Sequence, residues 1–278
     1  MSSPFSKEEH KKIIHPLIAR FEKRYKKNQT TIIGIQGGQG TGKTTLVKVL
    51  QKELQNKGYC VVSFSIDDFY LSGKARTALR KKYPLNPFYQ IPRGLPGTHR
   101  LPLLKTVLSN FKHGRQTELP IFDKSIDNGQ GDISPSKKIV SQRLDFVLFE
   151  GWCVGIPITT PSALARLCSQ QQIPLKKIDP TLQHSTVVLR FIRNYRPLWT
   201  FLDYLVMLRP QTASLHVQWR QQQERELKKA RGQGMSAAQI RHFVNLFLPF
   251  TYLCYAKIKA DATILIKKDH TFSELRWN

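Results

Sequence analysis

The run Gly37-Gly38-Gln39-Gly40-Thr41-Gly42-Lys43-Thr44 fits the pattern G-x-x-x-x-G-K-[ST] at every position. No other stretch limits the possible folds as much. Glycines let successive backbone N–H groups turn inward around a phosphate without interference from a Cβ atom. The preceding segment, Thr30 to Gln36, is β-branched and apolar, as expected of a buried parallel strand. The following one, Thr44 to Lys57, sets Leu46, Val47, Val49, Leu50 and Leu54 at helical spacing and stops at Gly58. A plain glycine-rich turn lacks this context. Strand, loop and helix in that order form a phosphate cradle, with the positive end of the helix aimed at the same oxygens. Gly37, Gly38, Gln39, Gly40, Thr41, Gly42 and Thr45 are therefore expected around a nucleotide's phosphates. Lys43 should reach the β- and γ-phosphates, and Thr44 should set its hydroxyl on Mg2+.

The rest of the chain alternates in the same way. Strands are expected at Tyr59 to Ile66, Leu144 to Glu150, Tyr204 to Leu208 and Ala262 to Ile266. Helices are expected over residues 6–27, 101–112, 189–201, 213–230 and 236–256. This alternation predicts an α/β fold with a doubly wound, mainly parallel sheet. No repeat or linker breaks residues 1–278, so a single domain is expected. Residues 72–100 are polar and rich in Pro and Gly. They read as a long functional loop with at most short helices, suited to handling substrate. Residues 156–182 read as a peripheral insertion.

Carboxylates stand where the strands end. Ligands of a doubly wound sheet sit outside the carboxyl ends of its strands. Asp67 and Asp68 close the second strand, and a carboxylate there can take the proton of a hydroxyl attacking a γ-phosphoryl group. An Asp after a strand can equally be a turn residue or a helix cap, and either of the pair fits the catalytic role. Glu150 ends Phe146-Val-Leu-Phe-Glu150-Gly151-Trp152 and would stand beside the metal. A single Glu before Gly, in place of Asp-Glu, favours a metabolite kinase over a nucleic-acid motor.

Net charge is +25, from 44 Lys and Arg against 19 Asp and Glu. Such a balance suits polyanions or anionic small molecules. The basic residues fall in short clusters along the whole chain, such as Arg80-Lys81-Lys82, with no basic tail and no aromatic-interleaved RNA-binding pattern. Small anions are the expected partners, in preference to nucleic acid. A nucleic-acid-dependent ATPase and a regulatory nucleotide-binding protein are the alternatives that the charge and the loop leave open. The four cysteines form no CxxC pair, which argues against zinc or a disulfide framework. No apolar run is long enough to cross a bilayer, and the N-terminus carries no secretory pattern, so a cytoplasmic enzyme is expected.

Together these motifs resemble the D-glycerate 3-kinase family, which belongs with the phosphoribulokinase, uridine kinase and pantothenate kinase group. The resemblance rests on Gly37 to Thr44, Ser65-Ile-Asp-Asp-Phe-Tyr-Leu71, Arg93-Gly-Leu-Pro-Gly-Thr-His99, Phe122-Asp-Lys-Ser125, Glu150-Gly-Trp152, Gln218-Trp-Arg220 and Gly234-Met-Ser236. It implies a P-loop kinase that phosphorylates a hydroxyl of a small acid with Mg2+ and ATP, giving 3-phosphoglycerate from D-glycerate. By this analogy Lys43, Asp67 and Glu150 are catalytic, with Asp67 as the base. Asp68, Tyr70, Arg93, His99, Asp123 and Lys124 would hold the acceptor. A helical lid over residues 213–232 would bring Arg220 and Arg225 to the phosphates, although Glu224 and Lys228 also make the i,i+4 pair of a plain solvated helix. Two positions depart from the family's pattern in the expected acceptor site: Arg100, where an acidic residue is expected, and Phe122, where Tyr is expected.

Overall fold

In the computed structural model the described residues are 3–127, 129–212, 214–231 and 235–278, the side chains of 226–231 excepted. Its strands are β1 (Thr31–Gly37), β2 (Val61–Ser65), β3 (Thr117–Asp123), β4 (Asp132–Val140), β5 (Phe146–Gly151), β6 (Tyr204–Pro210), β7 (Ala262–Ile266) and β8 (Phe272–Trp277). Six of them form one sheet in the order β2-β5-β1-β6-β7-β8. All neighbours run parallel except β8, which returns antiparallel beside β7. The expected doubly wound α/β architecture is what the chain adopts. Strand order reverses around β1, whose neighbours are β5 on one side and β6 on the other. A crevice opens at such a switch point, and the glycine loop leaves β1 there.

The principal helices are α1 (His15–Arg24), α2 (Lys43–Asn56), α3 (Gly73–Lys82), α4 (Leu101–Lys112), α5 (Pro161–Gln170), α6 (Gln183–Arg193), α7 (Ser214–Arg231) and α8 (Ala237–Lys257). Successive strand residues point to opposite faces, so β1 and β5 feed two cores at once. Ile33, Ile35 and Leu148 pack with Leu17 and Phe21 of α1 and Leu46, Leu50 and Leu54 of α2. Ile32, Val147 and Phe149 face the other way, with Leu104, Leu108 and Phe111 of α4, Val188 and Ile192 of α6, and Phe250 of α8. Phe149 stacks on Phe64 of β2 with ring centres 4.8 Å apart.

Several local expectations need correction. The stretch 72–100 holds α3, a ten-residue helix capped by the Ser72 hydroxyl on Ala75 N–H. The helix expected over 189–201 instead spans 183–193, followed by a short turn at Arg196–Trp199. Its start is hidden from sequence because Leu182 lies in the left-handed region and the cap comes from the buried Asp179. That carboxylate accepts the N–H groups of His184 and Ser185. Residues 156–182, expected as a peripheral insertion, supply α5 and the buried Leu164, Cys168 and Leu175. Ala213 and residues 232–234, part of the expected lid and of Gly234-Met-Ser236, lie outside the described residues, as does the Lys228 side chain. Among the described residues no helix is long and apolar enough to cross a membrane.

Candidate active site

Strand register sets the carboxylates beside the glycine loop. Glu150 of β5 is abreast of Ile35 of β1 and Ser65 of β2, at the carboxyl rim of the sheet. Beyond Ser65 a single tight turn, Ile66–Phe69, carries Asp67 and Asp68. The Asp68 carboxylate accepts the Ser65 N–H (3.0 Å) and the Ser65 hydroxyl accepts the Asp67 N–H (3.2 Å), which fixes the turn. A cavity of about 690 Å3 opens over this rim. Its wall includes Gln39, Gly40, Lys43, Thr44, Asp67, Asp68, Tyr70, Arg93, Lys124, Glu150 and Arg220, so eleven of the expected site residues converge on one space.

The charged groups at the centre are coupled. Thr44 donates its hydroxyl to Glu150 Oε1 at 3.1 Å. Lys43 Nζ donates to the Gly38 carbonyl at 3.1 Å. Burial pushes the Lys43 ammonium below the usual lysine range, with Glu150 and Asp67 pulling the other way. Burial also raises Glu150 above the usual carboxylate range against the pull of Lys43. Asp67 differs. Burial would raise it, but the Lys124 ammonium, at 2.7 Å from Oδ2, and the Tyr70 hydroxyl, at 2.8 Å from Oδ1, outweigh that and hold it below. Asp68 is raised, chiefly by burial. Two adjacent carboxyls are thus pushed apart: Asp67 is kept ionised, and Asp68 is closer to neutral. Perturbed groups gathered in one cleft are a mark of function.

A second hollow, of about 370 Å3, lies on the other side of the loop. Gly40, Thr41, Gly42 and Thr45 line it, with Trp219 of α7, Phe272 of β8 and Phe5 from the N-terminal segment. Trp219 stacks on His270 with ring centres 4.7 Å apart. Gly40 has φ +77°, and a Cβ there would sit 2.8 Å from Trp219 Cβ, so α7 can approach the loop this closely only because residue 40 is glycine. The expected lid helix therefore borders both hollows.

Some expected site residues stand elsewhere. Gly37 and Gly38 lie behind the cradle; Gly38 N–H is already donated to the Tyr255 hydroxyl at 2.9 Å. His99 is buried behind Tyr70, its ring stacked at 4.6 Å and its Nδ1 2.6 Å from the Tyr195 hydroxyl. Burial pushes it down to about 4, so it is neutral. The Asp123 carboxylate accepts the N–H and hydroxyl of Ser125 and so closes a turn. Arg225 is exposed and lines neither hollow. Glu224 pairs with Arg220 at 2.9 Å and accepts the Met235 N–H at 2.7 Å, which holds Arg220 at the wall.

Neither departing residue is on the wall, contrary to expectation. The Phe122 ring packs against the guanidinium groups of Arg76 and Arg93, at 5.3 and 5.6 Å. Arg100 precedes α4 and donates to the Asp68 carbonyl at 3.4 Å. Sequence reasoning in turn missed Met235, Phe243 and Phe247, which make one apolar side of the cavity. Phe243 and Phe247 stand at a helical spacing that reads as core, and the direction of α8 turns them to the site, while Met235 precedes that helix.

Known proteins are similar to this chain in sequence and fold. The chain is 37% identical over 244 residues to the Schizosaccharomyces pombe protein "uncharacterized kinase mug58", covering 85% of this chain and 86% of that one. It is 31% identical over 225 residues to the chloroplastic D-glycerate 3-kinase of Arabidopsis thaliana, 78% of this chain and 46% of that enzyme. The structure of a D-glycerate 3-kinase from Cryptococcus neoformans superposes with a TM-score of 0.82 at 27% identity, over 95% of this chain and 96% of that one. The chain belongs to the D-glycerate 3-kinase family of P-loop kinases. No protein-family model matches it. As a P-loop kinase of this family it uses ATP. Within the family the span differs, since this kinase covers under half the length of the chloroplastic enzyme.

Proposed function

We propose that this kinase transfers the γ-phosphoryl group of ATP to a hydroxyl of a small carboxylic acid, D-glycerate giving 3-phosphoglycerate. The observation that carries the reading is the Asp67 carboxylate, kept ionised on the cavity wall that Lys43 shares, with Lys124 and Arg93 beside it. Asp67 accepts the proton of the attacking hydroxyl. Arg93 and Lys124 offer cations to the acid's carboxylate. Lys43 and Arg220 meet the charge that builds on the transferred phosphoryl group. The second hollow takes the nucleoside. Relatives named D-glycerate 3-kinase support this choice of acceptor, as does the location of Phe122 and Arg100 behind the wall.

The residues present fit a magnesium ion. Thr44 hydroxyl and Glu150 carboxylate meet at 3.1 Å on the cavity wall, and hard oxygen donors beside a phosphate site are what Mg2+ takes. Thr44 and Glu150 would hold it, and its charge would neutralise phosphate oxygens.

The test is ADP release from Mg-ATP across D-glycerate, pantothenate, uridine and ribulose 5-phosphate. D-Glycerate should turn over fastest; a clear preference for one of the other three would replace the acceptor. The charge pairing gives a second expectation. Lys124→Met removes the group that holds Asp67 down, while burial remains and raises it. The acidic limb of the kcat/KM profile should therefore move to higher pH. An unmoved limb would separate Lys124 from the base.

A further inference from the structure

His216 lies in the first turn of α7 and Tyr255 near the end of α8. Both are buried, and their rings lie nearly parallel with centres 5.9 Å apart. Neither lines the two hollows. Their polar atoms instead close a chain with the backbone of the glycine loop. Gly38 N–H donates to the Tyr255 hydroxyl oxygen at 2.9 Å. The Tyr255 O–H lies 3.2 Å from His216 Nε2, and His216 Nδ1 lies 2.9 Å from the Gln39 carbonyl oxygen. A backbone N–H only donates and a carbonyl only accepts. One assignment then satisfies every atom: a neutral His216 with its proton on Nδ1, accepting from Tyr255. Burial pushes His216 down to about 4, in keeping with that neutral ring.

The chain has a consequence for the phosphates. In a trans peptide the C=O and the following N–H point to opposite sides of one plane. Anchoring the Gln39 carbonyl on His216 therefore turns the Gly40 N–H the other way, and Gly40 is on the wall of both hollows. A phosphate cradle requires N–H groups inward and carbonyls outward, because a carbonyl oxygen facing a phosphate repels it. The rings sit hard against the loop: a Cβ on Gly38 would lie 2.3 Å from His216 Cε1 and 2.8 Å from the Tyr255 hydroxyl.

We infer that His216 and Tyr255 are positioning residues which hold the Gln39 carbonyl away from the nucleotide's phosphates and keep the Gly40 N–H aimed at them. The same contacts tie α7 and α8 to the loop, so the helix that borders both hollows and the cradle it faces are set as one unit. This rests on the glycine loop being the phosphate site.

Tyr255→Phe deletes a single hydroxyl and keeps the ring stack, so it isolates the chain of hydrogen bonds. ATP affinity, measured by calorimetry, should fall about tenfold, the order expected for lost hydrogen bonds of this kind. Adenosine, followed by ligand-observed NMR, should bind as it does to the wild type, because it carries no phosphate. His216→Ala should show the same split, and the double variant should lose less than the two single losses combined, since both residues act through one chain. Unchanged ATP affinity in Tyr255→Phe would overturn the inference. So would equal weakening of ATP and adenosine, which is the mark of general loosening. Lys43→Ala separates the two levels. If it too leaves ATP affinity untouched, the phosphate site itself is wrong and the inference goes with it; if it weakens ATP while Tyr255→Phe does not, only the positioning role is lost.

Discussion

Asp67→Asn should lower kcat with D-glycerate by about 10²–10⁴-fold, the usual range for a lost general base, and leave the nucleotide dissociation constant nearly unchanged. Asparagine keeps the size of the side chain and one oxygen for Tyr70 or Lys124, but it cannot take a proton. Asp68→Asn should cost less. Its carboxylate accepts the Ser65 N–H and closes the turn, and burial already favours its neutral form. The acidic limb of the pH profile should flatten in Asp67→Asn and persist in Asp68→Asn. Should Asp67→Asn turn over normally while Asp68→Asn is inactive, the base is the next residue along and the mechanism stands. Full activity in both single variants and in the double variant would remove the carboxylate base altogether.

Lys43→Ala is expected to cut phosphoryl transfer by about 10³-fold, as for the loss of one strong charge-stabilising donor. Stability should not suffer. The ammonium is half-buried, and its lowered pKa means that the folded state penalises its charged form. That penalty operates below the ordinary lysine pKa, so at neutral pH removing the charge relieves it. A melting temperature at or above that of the wild type, with turnover lost, is the expected pair of results. Turnover within a few fold of the wild type would show that this lysine does not serve the phosphates.

Much of this site is legible in the sequence because its parts are local. Gly37 to Thr44 is one continuous run, and Asp67, Asp68 and Glu150 are each announced by an apolar strand that ends at them. What sequence hides is long-range. Gly38 has the right residue type for a phosphate cradle, yet its N–H is taken by Tyr255, 217 residues away. His99 follows a Gly-Thr turn that reads as a loop, and only the packing of Tyr70 and Tyr195 around it makes it a buried, neutral ring. β3 and β4 give no strand signal: Pro120 interrupts the first, and the second is Asp-Ile-Ser-Pro-Ser-Lys-Lys-Ile-Val, largely exposed. Their pairing still matters, since the turn between them carries Lys124 to Asp67. β8 is likewise unannounced, because an edge strand with one exposed side needs no long apolar run.

Phosphorus NMR of the product formed from Mg-ATP and D-glycerate by the wild-type chain decides whether D-glycerate is the acceptor. ADP and 3-phosphoglycerate should form in equal amounts. ADP released with free phosphate, or no turnover of D-glycerate while another hydroxyl acceptor is phosphorylated, would contradict that expectation.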